Sequence, residues 1–274
     1  MSEYFEAYTL GNSSEEYKRL RMQALAWEEA TRRAIVKTGL DEGARCLDVG
    51  CGPGEVMRLL REMTGPDGHI AGVDRDGKIG REALAMLKAV YGDNFAFHEL
   101  DLASDTLIPG GPYDFIFARF VVFHQRDQVA LLRKLWGLLK PGGKLLVMDA
   151  DIVAPMSVWP AWSDEIVAFI QNTLKGAGLD LATGRRMPEW FLQAGIGPHD
   201  GLDASTILLP APEVATFANV VATSLLPAAL QMGTTTQPAF DAMVAKVKEE
   251  GAKEKAWMYW PIVIATWKTK PLTS

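Results

Sequence analysis

Cysteine and histidine are scarce in this chain of 274 residues: two cysteines, Cys46 and Cys51, and four histidines. Two thiols build no disulfide framework, and the scattered histidines offer no zinc-ligand spacing, so structural thiols and no metal site are expected. Positive charge is also in deficit, at a formal net of −6. Nucleic-acid phosphates call for a basic face, so no nucleic-acid partner is expected beyond what a local patch could hold. No uninterrupted apolar run approaches the ~20 residues of a membrane span. The N-terminus carries acids and tyrosines where a leader would have a basic region and an apolar core. The expectation is a soluble, cytoplasmic protein with no membrane partner. Internal repeats and low-complexity tracts are missing too. The length suits one large α/β domain or two small ones with an ample core.

What is present centres on residues 45–55, Arg-Cys-Leu-Asp-Val-Gly-Cys-Gly-Pro-Gly-Glu. An apolar run ends in an acid and breaks into Gly50, Gly52 and Gly54, which reads as a buried strand turning toward a helix. Glycine reaches positive φ without a Cβ clash and lets a ligand approach the backbone. Val56, Leu59, Leu60 and Met63 then recur at helical spacing, placing the loop over a helix N-terminus whose N–H groups can grip a carboxylate or another polar group. A dinucleotide fingerprint needs a third glycine where Glu55 stands, and a P-loop needs Gly-Lys-Ser/Thr, which does not follow.

An acid before G-x-G-x-G resembles motif I of the class I S-adenosylmethionine-dependent methyltransferases. Leu-Leu-Lys-Pro-Gly-Gly-Lys-Leu-Leu, at 138–146, resembles a turn of the same family. The resemblance covers about residues 40–150 well and the rest in outline. It implies a Rossmann-like, doubly wound seven-stranded sheet with an antiparallel last strand, plus a helical cap. It also implies S-adenosylmethionine as cofactor, S-adenosylhomocysteine as product and a small-molecule acceptor. Asp48, Gly50, Cys51, Gly52 and Gly54 are then cofactor-binding candidates.

Further along, His69–Val73 is a short apolar run ending in Asp74, placed about twenty residues past the loop to accept from both ribose hydroxyls. A carboxylate suits that task because it only accepts and takes a bidentate pair; turn chemistry is the alternative. Arg75 stands where the family often has an apolar residue against adenine. In the family an acid after the third strand meets the adenine amine while the next N–H meets a ring nitrogen, and Asp101 and Leu102 match that pair. An Asx turn is the alternative for Asp101. Tyr113–Ala118 reads as a central strand leading to Arg119 and His124, where this fold class places its active site. His124 is the general-base candidate because imidazole titrates near neutrality; a structural or substrate-orienting role is the other reading. Arg119 lines the methionine pocket, orients an acidic substrate or makes a surface ion pair. Asp149 and Asp151 bind a substrate amine or cap the next loop.

The domain organisation expected is a helical lid over 1–38, with Tyr4, Phe5 and Tyr8 docked and Ser13 or Ser14 capping one helix to about residue 38. A cofactor-binding core follows over 39–151 and a helical cap over 152–200. The end of the sheet, 201–274, contains strands at about 201–209 and 257–267 around a helical insertion at 210–251. Two added helical layers imply a mostly enclosed cavity, with contributions from Trp27, Trp159, Trp162, Phe191 or Met232.

The leading reading is methyl transfer to an oxygen or nitrogen of a small, partly apolar acceptor, a secondary metabolite, by a monomer or homodimer. The alternative is a methyltransferase-fold protein that binds the cofactor without transferring its methyl group. A nicotinamide oxidoreductase is disfavoured by Glu55.

Overall fold

The computed structural model describes residues 15–104, 107–153 and 161–272. The expectations for Tyr4, Phe5, Tyr8, Ser13, Ser14 and Trp159 fall outside these residues. In chain order the first elements are helices α1 (Glu15–Ala26) and α2 (Glu28–Thr38), strand β1 (Arg45–Val49) and helix α3 (Glu55–Thr64). Then come β2 (His69–Asp74), α4 (Gly77–Tyr91), β3 (Phe95–Glu99) and β4 (Tyr113–Arg119). A 3-10 turn, Val122–His124, leads to α5 (Gln128–Gly137), β5 (Leu139–Asp151), α6 (Asp164–Gly176) and α7 (Thr183–Gln193). The chain closes with β6 (Gly201–Ser205), β7 (Leu208–Pro210), α8 (Ala211–Gln231), α9 (Gln237–Lys253), β8 (Trp257–Tyr259) and β9 (Ile262–Thr269).

Seven strands form one sheet of order β3-β2-β1-β4-β5-β9-β6. Strands β1 to β5 run parallel, and β9 is antiparallel to both β5 and β6. This is the doubly wound sheet with an antiparallel last strand that the motifs imply. The two-residue period of the strands sends alternate side chains to opposite faces. Cys46, Phe115, Phe117 and Leu146 meet Trp27, Ile35, Met57 and Leu60 on one side. Leu47, Val49, Ile116 and Val147 meet Leu132, Leu135 and Phe191 on the other. The cap has a third core of its own, built around Trp162, Ile166, Ala218, Phe240 and Val247.

Several boundaries differ from the sequence expectation. The single N-terminal helix is two, because the chain breaks at Trp27, whose side chain turns into the core at 1 % exposure. The Lys-Pro-Gly-Gly turn lies inside β5 as a bulge, opposite the register shift between Tyr113 and Phe115. The last two expected strands are each interrupted. β6 stops at Ser205, and β7 pairs with β8 in a separate ribbon. Pro261, which has no N–H to give a ladder, separates β8 from β9. Helix α7 packs on the sheet, with Met187, Trp190 and Phe191 in the same core as β1 and β5.

Helix α8 opens the expected helical insertion at 210–251. Among the described residues it is the one helix long and apolar enough to cross a membrane by length and composition, with a mean hydropathy of 1.4.

Candidate active site

The three loop glycines have different work. Gly50 sits at φ +68°, where a Cβ would fall 2.4 Å from Val121 Cγ2. Gly54, at φ +80°, would meet Ala83 Cβ at 3.0 Å. Those two are glycine because protein presses on them. Gly52, at φ +46°, has no heavy atom within 4 Å of a built Cβ. It faces open space, as a backbone that receives a ligand must. The loop is held against β2 by Gly50 N–H and Cys51 N–H, which both donate to Val73 O at 2.7 and 3.1 Å.

Asp74 closes the next side. Its Oδ2 accepts from Gly52 N–H at 2.8 Å and its Oδ1 from Asp76 N–H at 2.9 Å. Each oxygen retains a second acceptor direction. Asp101 Oδ1 accepts from Ala103 N–H at 2.9 Å, so the Asx turn is present, and Asp101, Leu102 and Arg75 also line the cavity.

Behind the loop lie a buried acid and a buried arginine that influence one another electrostatically. Asp48 is 2 % exposed, and its Oδ2 has no hydrogen-bond partner. Burial pushes its carboxyl up to about 8, with Arg119 opposing and Asp74 adding to the shift. Burial likewise pulls Arg119 down to about 10, against the pull of Asp48, Glu55 and Glu28. Arg119 donates from Nη1 to Thr31 Oγ1 at 2.8 Å and reaches Ala24 O at 3.5 Å. It is therefore an internal bond to the N-terminal helices, and the surface ion-pair reading does not hold.

Past Arg119 the chain turns through Phe120 at φ +57°, a region non-glycine residues seldom occupy. The 3-10 turn that follows is seated on Asp149, whose Oδ2 accepts from Phe123 N–H at 2.9 Å and Oδ1 from Ala150 N–H at 3.0 Å. Asp149 is 1 % exposed, and burial raises it to about 7 while surrounding N–H groups pull it back. Its role is to cap the turn, which presents His124 to the cavity with the imidazole edge-on to Phe123 at 5.1 Å. Asp151 does not join the site. It accepts from Arg185 Nε and Nη2 at 2.5 and 2.8 Å and from Val153 N–H at 3.1 Å.

Cys51 lines the cavity and Cys46 lies in the core; burial pushes both thiols up, which keeps them protonated and inert. Of the aromatic and methionine candidates for the wall, Trp27 is present, while Trp162, Phe191 and Met232 lie elsewhere. Trp162 and Phe191 are taken up by cores, and Met232 stands beside Gly176.

Sequence reading missed what Glu55 does. It is buried and accepts from Arg21 Nε and Arg58 Nε, each at 3.1 Å. Arg58 also contacts Glu28 and Glu62. The Glu55, Arg58, Glu62 spacing along one helix face was the available signal. The tertiary partners Arg21 and Thr31 had none.

The cavity these elements enclose is continuous, about 1490 Å³, and runs from the glycine loop past His124 to α6, α8 and Trp260. A parallel sheet with such a loop at the carboxyl end of β1 defines a nucleotide-cofactor-binding α/β protein. The methyltransferase domain family matches residues 16–195, and the chain belongs to that family. It is a class I S-adenosylmethionine-dependent methyltransferase. A demethylmenaquinone methyltransferase of Listeria monocytogenes is 25 % identical over 175 residues, covering 61 % of this chain and 68 % of the relative. The fold matches that of a Haemonchus contortus phosphoethanolamine N-methyltransferase solved with S-adenosylhomocysteine, at a TM-score of 0.53 and 18 % identity. That match covers 88 % of this chain, which spans only 52 % of the nematode protein. The [4+2]-cyclase SpnF shares the fold too, at a TM-score of 0.51 and 22 % identity over 90 % of this chain and 84 % of that one.

The site residues fit the cofactor: an unfilled glycine cradle, a carboxylate oxygen without a partner and an acid at the tip of β2 are what a polar nucleoside with an amino-acid tail would engage.

Proposed function

We propose that the enzyme methylates an oxygen or nitrogen of a small, partly apolar acceptor, a secondary metabolite, enclosed between the glycine loop and the helical cap. The observation that carries this reading is the continuity of the cavity from Gly52 to the cap helices. In this reading the loop over 50–54, Asp48 and Arg119 hold the amino-acid end of the cofactor, Asp74 its ribose, and Asp101 with the Leu102 N–H its adenine. Arg75 closes the adenine side.

When bound, S-adenosylmethionine supplies an activated sulfonium methyl group. The chain's task is then alignment, which can lower a barrier by up to ~7–11 kcal/mol. Helix α1 contributes Leu20, Gln23 and Ala24 to the wall and excludes water from one side. His124 takes the acceptor's proton, which adds a smaller factor, on the order of 10²–10⁴ in rate. Asp149 positions it by fixing the 3-10 turn.

The test is S-adenosylhomocysteine release with a panel of phenols, carboxylic acids and amines, with the methylated atom assigned by NMR. Methylation at carbon would remove the oxygen or nitrogen assignment and keep the transfer. Cofactor binding without turnover on any acceptor would remove the proposed acceptor class.

A further inference from the structure

The cofactor crevice does not use the whole cavity. At about 1490 Å³ it exceeds the roughly 1,000 Å³ at which pockets for one drug-sized ligand end. The surplus lies beneath the cap, where two helix stripes face it. Helix α6 gives Val167, Ile170 and Leu174; α8 gives Phe217, Val221 and Leu225. Each set repeats at three or four residues and so forms one helix face. Trp260 completes the wall.

Beside that stripe, Val214, Ala218 and Ala222 of α8 enter the cap core with α9, and Ala218 borders the cavity as well. The Phe217, Val221, Leu225 stripe is half-buried. Its remaining apolar surface gains about 25 cal/mol per Å² when something covers it.

Charge decides what that something is. The cations in the cavity wall, Arg75, Arg119, Arg126 and Lys134, come from the end of β4, from loops and from α5, none from α6 or α8. The one ionisable wall residue of those two helices is Asp164, exposed in the first turn of α6. Two of their polar side chains are engaged by backbone carbonyls: Gln171 Nε2 donates to Ile152 O at 2.9 Å and Ser224 Oγ to Val221 O at 2.7 Å. A phosphate placed between the stripes would lose its hydration with no cation on either helix to pair it, whereas a neutral apolar body would not.

We infer that the α6–α8 chamber binds a neutral apolar acceptor body, a fused-ring or prenyl-like group, with the methyl-accepting atom turned toward His124. Acceptors whose bulk carries a phosphate are rejected. The methyl-accepting role rests on the proposed function; the binding chemistry of the chamber does not.

The test uses the full chain saturated with S-adenosylhomocysteine and titrated with N-phenyl-1-naphthylamine, a neutral fluorescent probe. Saturable binding is expected, undisturbed by millimolar phosphoethanolamine. Val221→Lys should weaken the probe at least tenfold, and Val221→Trp, which fills the chamber without charge, should do the same. Calorimetric affinity for S-adenosylhomocysteine should stay within twofold in both. Unchanged probe affinity in Val221→Trp, or displacement of the probe by phosphoethanolamine, overturns the inference. Loss of S-adenosylhomocysteine binding by the unsubstituted chain would instead strike the methyl-transfer reading, and the probe titrations would still decide the chamber.

Discussion

Arg21 Nε donates to Glu55 Oε1 at 3.1 Å, joining a helix of the cavity wall to the first helical residue after the glycine loop. Arg21 and Glu55 lie 34 positions apart, and the pair is largely shielded, at 15 % and 4 % side-chain exposure. Since α1 also supplies Leu20, Gln23 and Ala24 to the wall, the pair links cofactor enclosure to the loop itself.

Arg21→Ala should therefore act on ligand retention more than on folding. The expected loss is about 1 kcal/mol, read as roughly fivefold weaker S-adenosylhomocysteine binding by calorimetry, mostly through faster dissociation. Glu55→Ala should cost more in denaturant unfolding, about 2 kcal/mol, because Arg58 loses a charged partner as well. An Arg21→Ala protein with lower stability and unaltered affinity would make α1 mere packing.

The two glycines should separate fold from ligand. Gly50→Ala drives a methyl group into Val121 and should lower both the melting temperature and cofactor affinity. Gly52→Val meets no protein atom at Cβ, so its folding cost is the backbone one, about 1–2 kcal/mol. Cofactor binding should nevertheless fall beyond detection. Calorimetry returning normal affinity for Gly52→Val would place the cofactor elsewhere.

His124→Ala should lower kcat by on the order of 10²–10⁴ while leaving S-adenosylhomocysteine affinity intact. A fall in that affinity would contradict the base assignment. So would a pH–rate profile identical to that of the parent.

Asp48 sets a pH dependence of stability. Its carboxyl rises from 3.8 to about 8 on folding, so between those values the folded state holds a proton that the unfolded chain has released. This contribution to stability is full below about pH 4 and is lost as pH rises toward 8. In Asp48→Asn, urea unfolding measured across that window should fall less steeply with pH than in the parent. Equal slopes would mean that Arg119 keeps the carboxylate charged throughout.

The parts of the molecule that were legible in the sequence are those where local chemistry and tertiary structure agree. Strand β1 and the turn at Gly50 and Gly54 follow from an apolar run and from glycines that nothing else can replace. Asp101 was read as a ligand contact with an Asx turn as the alternative, and the turn is present. Trp27 was legible as a candidate for the cavity wall, but the helix break at Trp27 goes with packing distant along the chain, against Phe120 at 6.0 Å. The same holds for Asp149 and Asp151, alike in sequence. One caps the turn that carries His124, and the other is engaged by Arg185, because of partners distant along the chain.

The separate core of the cap has an evolutionary consequence. Helices α8 and α9 lie beyond the stretch over which the family is matched, residues 16–195, and pack chiefly on one another and on α6. Mutations that reshape the chamber are thus paid for locally, without touching the strands that carry the glycine loop. On the inference drawn above, substitutions in α8 would change which acceptor fits and leave the residues of the glycine loop as they are.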